Sequence, residues 1–471
     1  MKSAHPSGPQ LPTSLERVPR AVRVAWSQTL AHPVATSFCS ALIVRVVAAV
    51  AIWGAGGYIF PDEEQYVTLG HLASLGHLSP SYESGYGESL FHEAASFMWP
   101  LTFLFKVFGS HALVASLWAA LFGALTAAAV AVLVGRVLGR GWSSLVGLVV
   151  AFFPSQVLWS SVVLRESMVW AGLVGAALGV MFLAKANHWQ SLIGGTALAG
   201  GSLLELAYLR SWTFVATAWA VGLALWLFRP ARPAAARSLC VLLCIVVPVV
   251  PGLGLAGSSY VRHDSGNLGY ERTVLAVGAK SAFVHPKAVP VTSSKPGTKT
   301  TKPSTTTPTS PTTTSTPVTV PSALANESLV VPTGFKNDLK ALPTGLIAFA
   351  LRPFPWQHGD GLSYDFAGLE ELLYYPLYVL AAIGVIAYRR RREVIAFPLL
   401  VTVLVTGIAA EAEGNLGSAF RHRDQLFWAV AFFATLGTHH LYLWWQRRHT
   451  SSVQLSETDK DRQSPTVHAS L

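Results

Sequence analysis

Charge is scarce in this sequence. Asp, Glu, Lys and Arg make up only 12% of its 471 residues, against 51% hydrophobic, and mean hydropathy is +0.43. A soluble protein of this length carries about twice that charge fraction, so a water-solvated domain is excluded. Cysteine is scarcer still. Cys39, Cys240 and Cys244 lie in or beside apolar stretches, with neither the pairing of a disulfide framework nor the spacing of a metal site. They read as small apolar packing residues. Histidine gives no compact ligand set either: His71, His77 and His92 are irregularly spaced, and His92-Glu93 lacks the second histidine of a zinc helix. No internal repeat is visible, and no small-residue cleavage site follows the first apolar run.

What the chain does have is a succession of apolar segments of about 20 residues, which defines an all-α polytopic membrane protein. About ten spans are predicted, near 41–59, 112–133, 145–157, 166–185, 192–206, 212–228, 239–255, 372–388, 394–410 and 426–445. The net charge of +10 and pI near 9.6 reflect Lys and Arg in short loops and tails, which is a topology signal and not a nucleic-acid footprint. The basic clusters at 136–140, 185, 229–237, 389–392 and 447–448 fall on one side, taken as cytosolic together with both termini. The acid-bearing segments 61–66, 165–166, 205–210 and 411–424 fall on the other. Arg45, inside the first span, is expected to snorkel to the cytosolic surface.

Five regions follow. Residues 1–35 form a cytosolic tail, and 36–260 an N-terminal membrane region whose first outer loop spans 61–95. That loop begins as an amphipathic interfacial helix (Tyr66, Leu69, Leu72, Leu75), followed by a turn at Ser84-Gly85-Tyr86-Gly87 and a second short piece at 97–108 broken by Pro100. Residues 261–342 form a long outer loop with a disordered Thr/Pro-rich insertion at 292–321 and an Asn326-Glu327-Ser328 glycosylation pattern. Residues 343–446 form a C-terminal membrane region, and 447–471 a second cytosolic tail.

The longest run of acids is Asp62-Glu63-Glu64, directly after the first span. Acids there are costly in hydrocarbon and belong at a polar cleft at the membrane surface. On the same side lie Glu166, Arg165, Arg210, Arg352, Arg421, His422 and Arg423. Acids and arginines at one membrane depth suit a lipid-phosphate substrate. A guanidinium holds phosphate oxygens as a fork, and a carboxylate at a water-poor surface serves as a general base. The bland alternatives stay open: Asp62 and Glu63 as helix-end residues, Arg165-Glu166 as a local ion pair, Arg421 and Arg423 as headgroup anchors, and Arg352-Pro353-Phe354-Pro355-Trp356 as a turn with an aromatic anchor.

Asp62-Glu63-Glu64-Gln65-Tyr66 after a first span resembles the Asp-Glu-x-x-Tyr opening of the GT-C membrane glycosyltransferases. It is most similar to the family-39 group of protein O-mannosyltransferases and the aminoarabinose transferase. Phe153-Pro154-Ser155, Trp159-Ser160-Ser161, Leu164-Arg165-Glu166, Arg352 to Trp356, and Gly414-Asn415 with Arg421-His422-Arg423 resemble the same broad family. The resemblance implies a GT-C-like bundle at the plasma membrane with an extracytoplasmic site. The donor would be a polyprenyl-phosphate sugar, the acceptor a glycan, lipid or protein, and the reaction inverting. Asp62 would be the base, with Glu63 supporting it or orienting the acceptor. Arg165, Arg210, Arg352, Arg421 and Arg423 would hold the donor phosphate, and Tyr66, Glu166 and His422 would position substrate. The 84–90 turn would close over the acceptor. Some GT-C enzymes use a divalent ion, so the resemblance leaves a metal open and makes no cofactor certain. Rival classes are a lipid-linked polysaccharide polymerase or ligase, a transporter, and a non-catalytic envelope-assembly protein.

Overall fold

The computed structural model describes residues 29–56, 60–77, 91–92, 94–185, 188–227, 335–356, 362–412 and 416–463. The expected seventh span, the 84–90 turn, the Thr/Pro-rich insertion, the glycosylation pattern, Cys240 and Cys244 lie outside them. Among the described residues, every regular element is helical. The order is α1 (Pro33–Gly54), α2 (Pro61–Ser74), α3 (Ala95–Phe108), α4 (Ala112–Leu138), α5 (Arg140–Phe152), α6 (Pro154–Trp159), α7 (Glu166–Ala184), α8 (Trp189–Ala207) and α9 (Ser211–Leu227). It continues with α10 (Phe335–Leu351), α11 (Leu362–Tyr388), α12 (Arg392–Ala412), α13 (Leu416–Arg423), a 3-10 turn at Asp424–Leu426, and α14 (Phe427–Gln463).

Among the described residues, six stretches are long and apolar enough to cross a membrane: α1, α4, α7, Asp365–Tyr388 of α11, Arg392–Ala410 of α12, and Ala419–His449 across α13 and α14. Three further expected spans form helices outside that set. α9 has 17 residues, and α8 interrupts its 19 with Gln190, Ser191, Thr196 and Glu205. The expected third span divides into α5 and α6 because Pro154 forces Phe153 into extended backbone. Pro100, expected to break 97–108, instead sits inside α3, flanked by the buried Phe97, Met98 and Leu101.

The solvent of the bundle shows in α1. Its buried stripe is small or polar (Ser37, Ala41, Arg45, Ala49), while Ile43, Val47 and Val50 are exposed. A helix in water would show the reverse. In lipid, small residues allow close packing and large aliphatic ones face the acyl chains. Where α11 crosses α14, Gly384 and Gly437 face each other, and a Cβ on Gly437 would overlap the Leu380 carbonyl. Among the described residues, these two helices make the most extensive pairing.

Arg45 does not snorkel. It is fully buried, and its guanidinium donates to Ser160 Oγ at 2.7 Å and to the carbonyls of Ala151 (2.9 Å), Ala41 (3.1 Å), Val150 and Gln156 (both 3.4 Å). The α5–α6 break strands carbonyls at the end of α5 where water is scarce. Arg45 supplies their donors, so it staples the break.

α7, with 19 residues, is about 28 Å long and separates two ends of the bundle. At its C-terminal end, Arg136 lies over the Phe182 ring at 5.0 Å. Glu166 opens the other end, where the charges converge.

Candidate functional site

Glu63 sets the site up. It is 1% exposed, and both carboxylate oxygens accept backbone donors: Phe60 N–H at 2.9 Å and Val163 N–H at 2.9 Å. The first bond closes the N-terminus of α2, and the second ties it to the segment entering α7. Asp62, one residue earlier, is turned about 100° around the helix. Its side chain is 49% exposed and faces Arg421, whose Nη1 donates to Oδ2 at 2.8 Å.

Arg421 also places Nε 3.1 Å from Glu166 Oε1, and Arg210 Nη2 donates to the same oxygen at 2.8 Å. Asp62, Arg421, Glu166 and Arg210 therefore form one continuous chain of alternating charge from α2, α13, α7 and the α8–α9 connection. Glu166 and Arg210 are buried, at 2% and 3% side-chain exposure, whereas Arg421 is 20% exposed. Glu166 Oε2 and Arg210 Nη1 make no hydrogen bond among the described residues. Arg210 lies over the Trp212 ring at 5.6 Å, and burial lowers the pKa of its guanidinium.

Tyr66, one turn along α2, is buried edge-on against Phe97 at 5.5 Å. Burial raises the pKa of its phenol, and the charges of Arg165, Glu166, Arg421 and Asp62 act on it. Arg165 is half-buried, and its charge also acts on Glu166 and Arg210. His422 packs edge-on against Trp212 at 5.8 Å, and its charge acts on Glu166. The structure thus brings Asp62, Tyr66, Arg165, Glu166, Arg210, Arg421 and His422 together.

Two of the expected arginines sit elsewhere. Arg423 is buried in a second polar cluster, paired with Glu371 and lying over the rings of Tyr374 (4.5 Å) and Phe420 (5.1 Å). Its Nη1 donates to the carbonyls of Arg352 (3.3 Å) and Ala350 (3.4 Å). Arg352 enters this cluster through its backbone, at a cis bond to Pro353.

Glu370, Glu371, Tyr374 and Asp424 of that cluster are not among the sequence candidates. Asp424 accepts from Tyr374 Oη and from Ser155 Oγ (2.9 Å), and Glu370 accepts from Ser155 N–H (2.7 Å). The signal lay in α11, where Glu370-Glu371 interrupts an apolar run, and acids within a span are functional candidates by default. A span start placed at 372 left them outside it.

A divalent ion does not fit these residues. Asp62 and Glu166 already face guanidinium groups, and no group of three His, Cys, Asp or Glu among the described residues could hold a metal. The side chain of Glu411 and residues 413–415 lie outside the description. Comparison with protein-family models, curated proteins and solved structures finds no match to this chain.

Proposed function

We propose that the chain is an inverting membrane glycosyltransferase that moves a sugar from a polyprenyl-phosphate donor to an acceptor hydroxyl. One observation carries this proposal: a half-exposed carboxylate, Asp62, touches the most accessible guanidinium of a chain whose other members are buried. A base beside a cation at one helix end is what displacement from a lipid phosphate needs.

In this mechanism the donor phosphate approaches Arg421, the only arginine of the ion-paired chain with appreciable exposure. The phosphate competes with Asp62 for the guanidinium and frees the carboxylate to accept a hydrogen bond from the acceptor hydroxyl. The hydroxyl oxygen attacks the anomeric carbon as its proton passes to Asp62. The bond from that carbon to the phosphate oxygen breaks with inversion, and the electron pair leaves on the phosphate. Arg421, supported by Arg165 and Arg210, stabilises the charge that develops there, and its pairing with Glu166 fixes it beforehand. Glu63 positions Asp62 and touches no substrate. The site would face the extracytoplasmic side of the plasma membrane, with both termini cytosolic. The full bundle would hold about ten spans in a GT-C-like arrangement, and a polysaccharide polymerase or ligase would use the same chemistry.

A second reading has its own observation. Three buried carboxylates, Glu370, Glu371 and Asp424, face one buried guanidinium, Arg423, inside the bundle. Excess buried acid suits a transporter that moves protons or cations.

The test is an assay of purified protein with a panel of polyprenyl-phosphate sugars. Transfer should be lost in Asp62→Asn while folding is kept. Full transfer by that variant would remove Asp62 from the mechanism. No transfer by the wild type, with cation- or proton-driven uptake in vesicles that needs Glu371, would favour the transporter.

A further inference from the structure

The end of the bundle opposite Asp62 carries a cavity that the proposed reaction does not use. Its volume is about 430 Å³, within the usual range of ligand pockets. It lies where the C-terminal ends of α4 and α11 meet the middle of α14. Val137, Leu138, Ala387 and Leu443 form its apolar wall. Tyr388, Arg390, Arg391, His439 and His440 supply all of its polar side chains. The lining holds no acid, and among the described residues no carboxylate forms an ion pair with Arg390 or Arg391.

Within the polar wall, Tyr388 and His439 are half-buried and held in place, whereas Arg390, Arg391 and His440 are exposed. Tyr388 Oη and His439 Nδ1 are hydrogen-bonded at 2.6 Å. Trp142 of α5 packs edge-on against the His439 ring at 5.3 Å, and Arg391 lies over the Tyr388 ring at 5.8 Å. Three helices therefore fix the histidine and the phenol beside two guanidinium groups. α4 and α11 both point their C-termini here, and helix ends of that polarity repel anions. Part of the basic run 389–392 offsets this. Arg389 and Arg392 share that task but do not line the cavity.

We propose that this cavity binds an anionic phosphate group, carried by a lipid headgroup or free in solution. Arg390 and Arg391 would hold the phosphate oxygens as charge-assisted donors, and Tyr388 or His440 would add a further hydrogen bond. The apolar wall would receive the glycerol portion of a lipid. Basic pockets between membrane helices commonly take such headgroups.

The experiment uses the full chain, purified in detergent, with phosphatidylglycerol, phosphatidylcholine and inorganic phosphate as separate probes, and reads binding by native mass spectrometry and thermal shift. Phosphatidylglycerol or phosphate should bind, and the Arg390→Gln/Arg391→Gln double variant should weaken it by about tenfold or more. Arg389→Gln/Arg392→Gln removes the same charge outside the cavity and should leave binding near wild type. Ala387→Trp fills the cavity without changing charge and should also weaken binding, which covers the case in which the double variant misfolds. Selective binding of phosphatidylglycerol assigns the lipid source; displacement of it by inorganic phosphate assigns the free anion. Equal loss in the two double variants, or equal binding of phosphatidylcholine, would overturn the proposal.

Discussion

Glu166 and Asp62 both pair with Arg421, but their loss should have very different consequences. In Glu166→Gln, the buried Arg210 loses the only carboxylate with which it pairs among the described residues, and Arg421 keeps Asp62 alone. Breaking a buried pair by removing one partner leaves an uncompensated charge, which costs about 3–5 kcal/mol. In Asp62→Asn, the lost pair is half-exposed and the amide oxygen still accepts from Arg421. After solvent screening the cost is about 0.5–1 kcal/mol. The assay is the midpoint of SDS-induced unfolding of the full chain in mixed micelles, with the Asp62→Asn/Glu166→Gln double variant included. Glu166→Gln should unfold at clearly lower SDS and Asp62→Asn near wild type. The same result makes Asp62→Asn a clean activity probe, because its loss of transfer would not be a loss of fold. Equal destabilisation by the two single variants, or a larger effect at Asp62, would refute the view that burial separates their roles.

Four further outcomes are expected. Glu63→Ala should cost about 3–6 kcal/mol, from two backbone bonds to a charged acceptor worth about 1.5–3 each, and should slow transfer; Glu63→Gln, which keeps one acceptor oxygen, should restore part of both, read by SDS unfolding and kcat. Arg45→Met should destabilise by about 2–4 kcal/mol because several carbonyls and a hydroxyl lose their donor, and Gly123→Ala should do so less, since its Cβ would lie 2.5 Å from Arg45 Nε; proteolysis in detergent would report both. Gly437→Leu should separate α11 from α14 and cost about 1–3 kcal/mol or more, seen as a lowered thermal midpoint. Tyr66→Phe should leave the pH profile of transfer unchanged from pH 7 to about 9.5, because burial raises the phenol's pKa and keeps it neutral throughout that range; an alkaline limb that vanishes in the variant would contradict this.

The sequence by itself settled the solvent and most of the skeleton. Long apolar runs force helices because backbone groups in lipid have no other partners, and those at 112–133, 166–185, 372–388, 394–410 and 426–445 all lie in membrane-length helices. Side-chain type also nominated Asp62, Glu166, Arg210 and Arg421, since charges at span ends are expensive unless they meet. Tertiary structure decided which neighbour does what. Asp62 and Glu63 are adjacent in the chain, yet about 100° of helical rotation sends one toward water and the other onto the backbone of Val163. Arg421 and Arg423 differ by about 200°, so one reaches Asp62 and the other Glu371. Arg45 has the composition of a snorkelling residue and the contacts of a staple, because the carbonyls it serves are exposed by a helix break more than 100 residues away. No local pattern encodes which face of a helix meets a partner that distant; only packing does.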